Sequence, residues 1–435
     1  MKILFFISLV ILSSCKNDNK QTFFNGKILN KSSERMILSL DENPLYNSLI
    51  SESGNFSITI DSLESGLYNF FLQPEFQYVI LEEGDSIYIR LNSLDFDESL
   101  VFMGKGSAKN NFLIDVFLKN EIHNDILNSY YNTSFDDFLI KVDSLLNNQN
   151  ELFKEFKKNN QLSKLSENLI FDAIKYPLLE KTQSYLVSND LDFNRSEIDY
   201  SKYEIDFNNN SISSYKPYIN FIYLYSFNLT KSRSNHNFQV ERLKILDSLV
   251  HSDNIKSKLF RFLAFEILLN EKSLKEKRIF FEEFKNISDY TSINDEVEIL
   301  LKNQSQLSPG NSFPSIKGYD LNRNIKDIST IYNKKIIFFW SYDQNAHLNS
   351  IYQKINSLEN KYLSYKLISL NISVVGKNVI LVPVKYSLLI FSELPIIFNS
   401  LLTIPFSNSI LYTFPLLLIS KTKFSDKAFT TETPT

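Results

Sequence analysis

The sequence predicts a multidomain α+β protein with a small antiparallel β-sandwich, an α-helical middle region and a C-terminal α/β domain. Six of the nine glycines fall between Gly26 and Gly106, none falls in residues 107–309, and three follow. Turn-rich segments therefore flank a turn-poor one. Hydrophobic periodicity changes at the same points, from period two to a helical period and then to short continuous apolar runs. A chain of 435 residues is long enough for two or three domains.

Composition excludes several classes of protein. Hydrophobic residues make up 43% and charged residues 22%, which is typical of globular proteins and not of disordered or polytopic membrane chains. The net charge is -4 and no stretch gathers basic residues, so no nucleic-acid partner is expected. The single cysteine, Cys15, leaves no disulfide framework and no two-cysteine redox motif.

The histidines and glycines predict neither a metal site nor a cofactor site. The sole Gly-x-Gly, at 104–106, lacks the rest of a phosphate-binding loop. The four histidines are scattered along the chain, so the sequence shows no cluster of metal ligands. They are His123, His236, His251 and His347.

Residues 1–15 are typical of an export signal. Lys2 supplies a basic start, residues 3–12 are apolar apart from Ser8, and Leu12-Ser13-Ser14-Cys15 closes the segment. The apolar run is shorter than the ~20 residues that span a bilayer. The segment resembles a bacterial lipoprotein signal, which implies cleavage before Cys15 and acylation of that residue. The alternatives are a plain secretory signal cut elsewhere and an N-terminal helix of a cytosolic protein.

Residues 16–22 are interpreted as a polar tether that follows the lipid-attachment site. In proteobacterial lipoproteins an Asp at the next position retains the protein in the inner membrane, whereas this chain has Lys16. The expected location is therefore the cell envelope, at the outer membrane, with the membrane as a partner through the lipid anchor. The sequence leaves open which face of the membrane the protein occupies.

Residues 23–107 are predicted to form the β-sandwich. Three segments alternate between apolar and polar residues, and each follows a turn signal. Strands at this spacing favour a small antiparallel sandwich. The alternating apolar residues are Phe56, Ile58 and Ile60, then Tyr68, Phe70 and Leu72, then Ile87, Ile89 and Leu91.

Residues 108–303 are predicted to be helical. Ser134 and Asp137 resemble a capping box, and a helical stripe follows it: Phe138, Val142, Leu145, Leu152 and Phe156. Further helices are predicted over 162–176, 240–250, 255–269 and 274–284. Pro177 and Pro217 are the only prolines of the region, which predicts few sharp breaks. Aromatic stripes at helical spacing are expected to be core.

Residues 304–372 are predicted to start an α/β domain. Residues 334–340 are a short continuous apolar run, typical of a buried parallel strand, and 365–372 are a second β-rich run. A helical stripe lies between them: Leu348, Ile351, Ile355, Leu358 and Tyr362. Strand, helix and strand at these lengths predict a βαβ unit with a right-handed crossover.

The order of these parts resembles a known family. Pro309-Gly310-x-x-Phe313-Pro314, then an apolar strand ending in Phe339-Trp340 and an amphipathic helix, is similar to the lipid-anchored TlpA-like thioredoxin-fold proteins of Bacteroidetes. Those proteins often carry an N-terminal β-domain of unknown function, which residues 23–113 resemble. The matching motifs there are Asn25-Gly26-Lys27-Ile28, Gly54-Asn55-Phe56, Glu82-Glu83-Gly84-Asp85-Ser86-Ile87 and Phe102-x-Gly104-x-Gly106-Ser107-Ala108-x-Asn110. The motifs are loose one by one, but their order is fairly specific and covers most of the chain.

The resemblance implies a thioredoxin-like domain, whose chemistry needs Cys-x-x-Cys after Trp340. Here no cysteine follows Trp340. Asp343 and Asn345 stand near the expected cysteines, where they can cap a helix but cannot exchange thiols. His347 has no evident nucleophile to activate and is interpreted as a surface or capping residue. The domain is therefore expected to be redox-inactive, with no catalytic residue.

Residues 373–435 allow three interpretations. The only charged residue from 386 to 420 is Glu393. The segment could complete the thioredoxin fold, with Pro415 as the cis-proline before a strand. It could span a membrane, which its prolines, asparagines and serines disfavour. It could also be out-of-frame translation or a disrupted gene end, because its loss of charge does not suit a surface strand and a closing helix.

These observations predict a cell-envelope lipoprotein with a redox-inactive thioredoxin-like domain that binds or scaffolds an envelope protein or a small ligand. One alternative is a TlpA-like thiol-disulfide oxidoreductase role by resemblance, against which the absent thiolate counts. A second is a surface nutrient- or glycan-binding lipoprotein that uses the aromatic-rich helical region. The single tryptophan, Trp340, in a strand expected to be buried, counts against that alternative.

Overall fold

A computed structural model of the chain describes residues 21–41, 43–73, 75–191, 198, 200–233, 237–271, 273–320, 324–330, 334–340, 354–355, 358, 361–371 and 388–390. The chain is mixed α+β: two small sheets are followed by a helical region. It divides into two compact units, Met1–Thr182 with Ser211–Phe221 and Gln183–Asn210 with Ile222–Thr435. In the described part of the chain, no helix is both long and apolar enough to cross a bilayer.

Two four-stranded sheets form the start of the first unit, in the orders β4-β1-β7-β8 and β3-β2-β5-β6. A short helix, α1 (Phe96–Ser99), separates β7 from β8. The strands are β1 (Thr22–Leu29), β2 (Arg35–Leu40), β3 (Asn43–Leu49), β4 (Asn55–Ile60), β5 (Gly66–Leu72), β6 (Glu75–Leu81), β7 (Ser86–Asn92) and β8 (Val101–Lys105).

Both sheets contribute to one apolar core. Phe24 of β1 and Phe70 of β5 are fully buried, and their ring centroids lie 5.6 Å apart. Exposed and buried residues alternate strictly along β4, as period two predicted, with Phe56, Ile58 and Ile60 inside. The two sheets are therefore held together by the side chains on their facing sides.

The prediction that the sandwich is antiparallel is wrong for one pair of strands. β1 and β7 run parallel, with Phe24 opposite Ile87. Parallel neighbours need a long crossover connection, and residues 30–85 supply it because they build the whole second sheet before the chain returns. Alternation within each strand revealed the buried face but not the direction of its neighbour.

Eight helices follow β8 in the described residues, and the first begins at Gly106. This glycine has a φ of +94°, and a Cβ there would lie 2.6 Å from the carboxyl carbon of Asp85, so the helix start requires glycine. The helices are α2 (Ser107–Ser129), α3 (Phe135–Asn159), α4 (Lys164–Ser188), α5 (Lys216–Arg233), α6 (Phe238–Leu249), α7 (Asp253–Asn270), α8 (Leu274–Ile287) and α9 (Thr291–Gln306).

The predicted start of α3 is confirmed, and its predicted stripe is confirmed in part. Ser134 caps the helix by accepting the N–H of Asp137 at 3.2 Å. Phe138, Val142 and Leu145 are buried, but Leu152 is 48% exposed, and Phe153 lies inside in its place. Successive residues are 100° apart around a helix axis, so a stripe predicted over several turns gradually departs from the buried face of the helix.

Pro177 does not end α4, which continues to Ser188 rather than stopping at 176 as predicted. A proline in a helix leaves the carbonyl four residues earlier without its N–H donor. That carbonyl belongs to Ala173, which accepts from Asn120 Nδ2 at 3.1 Å and from the Tyr215 hydroxyl at 3.2 Å. Two side chains from other helices and loops thus replace the missing main-chain bond.

Helices α6 to α9 pack together in the second unit, around buried residues such as Leu243, Leu259 and Phe284. A third sheet follows them, in the order β10-β9-β13-β12-β11. Its strands are β9 (Lys317–Asp320), β10 (Ile325–Asp327), β11 (Lys335–Trp340), β12 (Lys366–Asn371) and β13 (Leu388–Ile390). Of these, β9, β10 and β13 were not predicted.

β11 and β12 run parallel, as predicted, with Ile337 opposite Ile368. The prediction that β11 is buried is wrong for residues 336–338, which are only partly buried. Among the described strands β11 lies at the edge of the sheet, where one side has no neighbour. Of the helical stripe expected between the two strands, Ile355 is buried, and Leu358 and Tyr362 are partly buried. Of the tail, 373–435, only β13 lies within the described residues.

Candidate functional site

Of the residues that the sequence analysis assigned to a functional site, Trp340 alone lies within the described residues. Trp340 is the last residue of β11 and lies opposite Asn371 of β12. The others fall outside the described residues: Cys15, Asp343, Asn345, His347 and Pro415. Their arrangement around Trp340 therefore stays a prediction.

A cleft in the second unit is the best candidate for a binding site. It has a volume of about 350 Å³ and is lined by Tyr200, Glu204, Ile205, Phe207 and Tyr225. Tyr200 belongs to a short 3₁₀ helix, Tyr200–Tyr203, and Tyr225 lies on α5. The volume of the cleft lies at the lower end of the range of small-molecule sites, and the cleft is open to solvent.

Three aromatic rings form the walls of the cleft. The rings of Tyr200 and Tyr225 stand at 82° with centroids 5.5 Å apart. Those of Phe207 and Tyr225 stand at 52° with centroids 5.1 Å apart. Rings set at steep angles enclose a corner, and the electron-rich faces of such rings attract positive charge.

Buried polar side chains hold one wall of the cleft in place. The Tyr200 hydroxyl accepts a hydrogen bond of 2.6 Å from Gln183 Nε2. Gln183 is fully buried, and its main-chain and side-chain oxygens accept from Asn228 Nδ2 at 3.1 and 2.9 Å. Burial raises the pKa of Tyr200, so the phenol stays neutral. The ring therefore has a fixed position, as a preorganised site requires.

Glu204 brings the only formal charge among the five lining residues. It has a φ of +48°, a left-handed backbone that few residues other than glycine adopt. Such conformations cost free energy and cluster at functional sites. The lining thus combines aromatic faces with a carboxylate and includes no cationic residue.

A buried ionic cluster in the first unit is the main alternative site. Lys109 Nζ lies 2.7 Å from Asp85 Oδ2 and also binds Glu82, which in turn accepts from Ser163 and Ser166. Burial alone would raise the pKa of Glu82, but the hydrogen bonds from Lys109 and the two serines lower it. Each charged group faces partners within the protein, so the cluster joins the β6–β7 turn to the helices and presents no group to a ligand.

The described histidines do not form a metal site. His123 Nδ1 lies 3.3 Å from Gln149 Nε2, and burial, with help from Lys119 and Lys141, lowers the pKa of its imidazole. His251 lies far along the chain, before α7. Within the described residues no three His, Cys, Asp or Glu side chains are grouped to hold a metal ion. His236 and His347 lie outside those residues.

The aromatic cleft was not predicted from the sequence. A signal existed, because Tyr200, Glu204 and Phe207 come close together in the connection between α4 and α5. The third ring, Tyr225, is brought to them only by folding, and its spacing along α5 looks like that of any core aromatic residue.

No protein-family model, no curated protein and no solved structure matches this chain.

Proposed function

We propose that the protein is a cell-envelope lipoprotein, anchored through Cys15, whose thioredoxin-like third domain binds or scaffolds and does not exchange thiols. The observation that carries this is the position of the single cysteine, at the end of the signal segment. Acylation there would consume the only thiol, and without a thiolate no mixed disulfide can form. The parallel pair β11–β12, with Trp340 at the carboxyl end of β11, supports the thioredoxin-like interpretation.

The anchor makes the membrane a partner, and Lys16 favours the outer membrane. The remaining partner is an envelope protein or a small ligand. A role as a TlpA-like thiol-disulfide oxidoreductase is the less favoured proposal, because that chemistry needs an attacking and a resolving sulfur, neither of which follows Trp340.

Intact mass of the protein isolated from its native membrane tests the anchor. We expect a chain that begins at Cys15 and carries acyl groups, whereas a Cys15→Ser variant should carry none. Resequencing of the codons for residues 371–435 tests the tail in the same material. An unacylated Cys15 in the isolated protein would overturn both the anchor and the location.

An insulin-reduction assay with the acylated protein tests the redox-inactive domain. We expect no turnover above that of the buffer, because the acylated chain has no free thiol. Dithiol-dependent reduction of insulin, present in the wild type and absent in Cys15→Ser, would instead favour the oxidoreductase role.

The aromatic cleft favours a second candidate function, the binding of a small nutrient molecule. Its ring faces suit a small organic cation better than a neutral sugar, because the electron-rich faces attract positive charge. The cleft supplies aromatic side chains without using Trp340, which removes the objection raised by the single tryptophan.

Calorimetric titration of the full chain with choline tests the cleft. We expect choline to bind and its neutral tert-butyl analogue to bind about tenfold more weakly, since shape is kept and charge is lost. Tyr225→Leu should weaken choline binding by about tenfold, whereas Tyr88→Leu, on the first sheet, should leave it unchanged. Equal affinities for the cation and its neutral analogue would contradict the assignment.

A further inference from the structure

The sheet β4-β1-β7-β8 has one face in the core and one face outside. Three rows of four residues cross its outer face, as the register of the strands shows. They are Thr59, Phe23, Ser86 and Lys105; Ser57, Asn25, Tyr88 and Met103; and Asn55, Lys27, Arg90 and Val101. We call these twelve residues the outer face. Ten of them are exposed, and Phe23 and Asn25 are partly buried.

The charges of the outer face all have one sign. Lys27, Arg90 and Lys105 are exposed cations, and none of the twelve residues, all of them described, is a carboxylate. The whole chain has 50 acidic against 46 basic residues, so composition does not explain this. The nearest carboxylates along the chain lie in the turns beyond the strand ends, such as Asp61 and Glu83. The face is therefore suited to an anionic partner.

Two of the cations lie side by side. Lys27 of β1 and Arg90 of β7 are register partners on neighbouring parallel strands. Like charges directly across from each other destabilise a sheet. An anionic partner on this exposed face would neutralise the pair.

Apolar side chains stand among these cations. Tyr88 is 39% exposed, Val101 48% and Met103 42%. In the register of β7 and β8, Tyr88 lies opposite Met103, and Arg90 lies opposite Val101. They form a contiguous apolar strip at the β7–β8 side. Aromatic and apolar groups mixed with Lys and Arg are typical of surfaces that rest at the level of lipid headgroups.

The position of β1 in the chain brings this face close to the membrane. β1 begins at Thr22, seven residues after Cys15. A fully extended chain spans roughly 3.3–3.6 Å per residue, so the start of β1 stays within about 25 Å of an acylated Cys15. This step rests on the proposed lipid anchor.

We infer that the outer face docks on the surface of an anionic phospholipid bilayer. Lys27, Arg90 and Lys105 bind the phosphate groups of the lipids, and Tyr88, Val101 and Met103 enter the interfacial layer. Docking in this way fixes the orientation of the protein on the membrane, which a lipid anchor alone does not.

The test uses the full acylated chain, reconstituted in phospholipid vesicles and labelled with an aqueous-quenchable dye at Met103→Cys. A matched label at Leu45→Cys, on the exposed side of β3, is the control. On vesicles rich in phosphatidylglycerol we expect the label at 103 to be protected from quencher and the label at 45 to stay accessible. On phosphatidylcholine vesicles both should be accessible, and salt at about 1 M should abolish the protection.

The triple variant Lys27→Gln, Arg90→Gln and Lys105→Gln separates docking from anchoring. It should stay bound to vesicles through its acyl chains while the ratio of docked to undocked protein falls roughly 100-fold. If the acylated wild type does not float with vesicles, the anchor is wrong. If it floats but the label at 103 is equally accessible on both lipids, or is protected only by added polyglutamate, the lipid-docking face is wrong and the anchor stands.

Discussion

The side-chain amide of Asn110 forms two hydrogen bonds with the main chain of Ile80. The Ile80 N–H donates to Oδ1 at 2.7 Å, and Nδ2 donates to the Ile80 carbonyl at 2.9 Å. Ile80 lies on β6, the outer strand of its sheet, and is fully buried. A buried edge strand would otherwise leave a donor and an acceptor unpaired. Asn110 thus pairs with β6 as another strand would.

Asn111 does the same for the other sheet. The Phe102 N–H donates to Asn111 Oδ1 and Asn111 Nδ2 donates to the Phe102 carbonyl, both at 2.9 Å. Phe102 lies on β8, the outer strand of the first sheet. Two successive residues of α2 therefore close one edge of each sheet.

The first prediction concerns these two asparagines. Asn110→Ala should lower the free energy of unfolding by about 2–4 kcal/mol, because it leaves two buried main-chain groups unpaired. Asn111→Ala should cost about 1 kcal/mol, since Asn111, unlike Asn110, is only partly buried and water can take the place of its amide. Urea unfolding measures both variants, and equal losses would contradict the role given to burial.

The second prediction concerns Lys109, whose side chain is 6% exposed. Lys109→Met should cost about 3–5 kcal/mol, because it leaves the carboxylates of Glu82 and Asp85 without their cation. Lys154→Met, in an exposed pair with Glu151, is the control and should cost no more than about 0.5 kcal/mol. A small loss at Lys109 would mean that water enters the cluster.

The cluster also predicts a dependence on pH. Because its hydrogen bonds lower the folded pKa of Glu82 below the ordinary 4.5, its stabilising contribution is present above that value and is lost as the pH falls through the folded pKa. Unfolding free energies measured between neutral and acidic pH should fall over that range in the wild type. The fall should be shallower in Lys109→Met.

The third prediction concerns the Ala173 carbonyl, which accepts from Asn120 and Tyr215 in place of the main-chain N–H that Pro177 lacks. Tyr215→Phe should cost about 1 kcal/mol, because the Ala173 carbonyl loses a donor. In a Pro177→Ala background residue 177 again has a main-chain N–H that can bind the Ala173 carbonyl. Tyr215→Phe should therefore lower the free energy of unfolding by less in that background than in the wild type. The double-mutant cycle should give a coupling of about 0.5–1 kcal/mol, and strict additivity would show that the two donors are independent.

The fourth prediction concerns Glu180 of α4, which accepts a hydrogen bond of 3.0 Å from Asn220. Burial raises the pKa of its carboxyl from 4.5 to about 7, although Asn220 and Lys181 oppose the rise. The pKa of Glu180 is higher in the folded than in the unfolded chain. The free energy of unfolding is therefore greatest, as far as Glu180 is concerned, below about pH 4.5, and it decreases as the pH rises through about 7.

Glu180→Gln should therefore stabilise the protein at pH 8 by on the order of 1–3 kcal/mol and change little at pH 4. Thermal unfolding across this range measures the difference. Glu155→Gln, in an exposed pair on α3, is the matched control and should shift the midpoint little at either pH. A Glu180→Gln variant that is less stable at pH 8 would show that the carboxylate is ionised and well paired.

Local signals in the sequence were sufficient for β4, β5, β7, β11 and β12 and for most helix starts. Phe56, Ile58 and Ile60 alternate because one face of β4 is buried, and Ser134 marks the start of α3 because its hydroxyl can accept the N–H of Asp137. These features depend on neighbours within a few residues, which the sequence displays directly. The continuation of α4 through Pro177 depends on Asn120 and Tyr215, which no local pattern connects with it.

By itself the sequence determined the mixed α+β class and the single cysteine, and hence that no cysteine follows Trp340. Only the tertiary structure decided that β1 and β7 are parallel neighbours, that Tyr200, Phe207 and Tyr225 share a cleft, and that Lys27 and Arg90 lie side by side. The physical reason is the distance along the chain between the residues that interact. Periodicity and capping report how a residue meets its own element, whereas a register partner or a cleft wall comes from a distant part of the chain and is selected by packing.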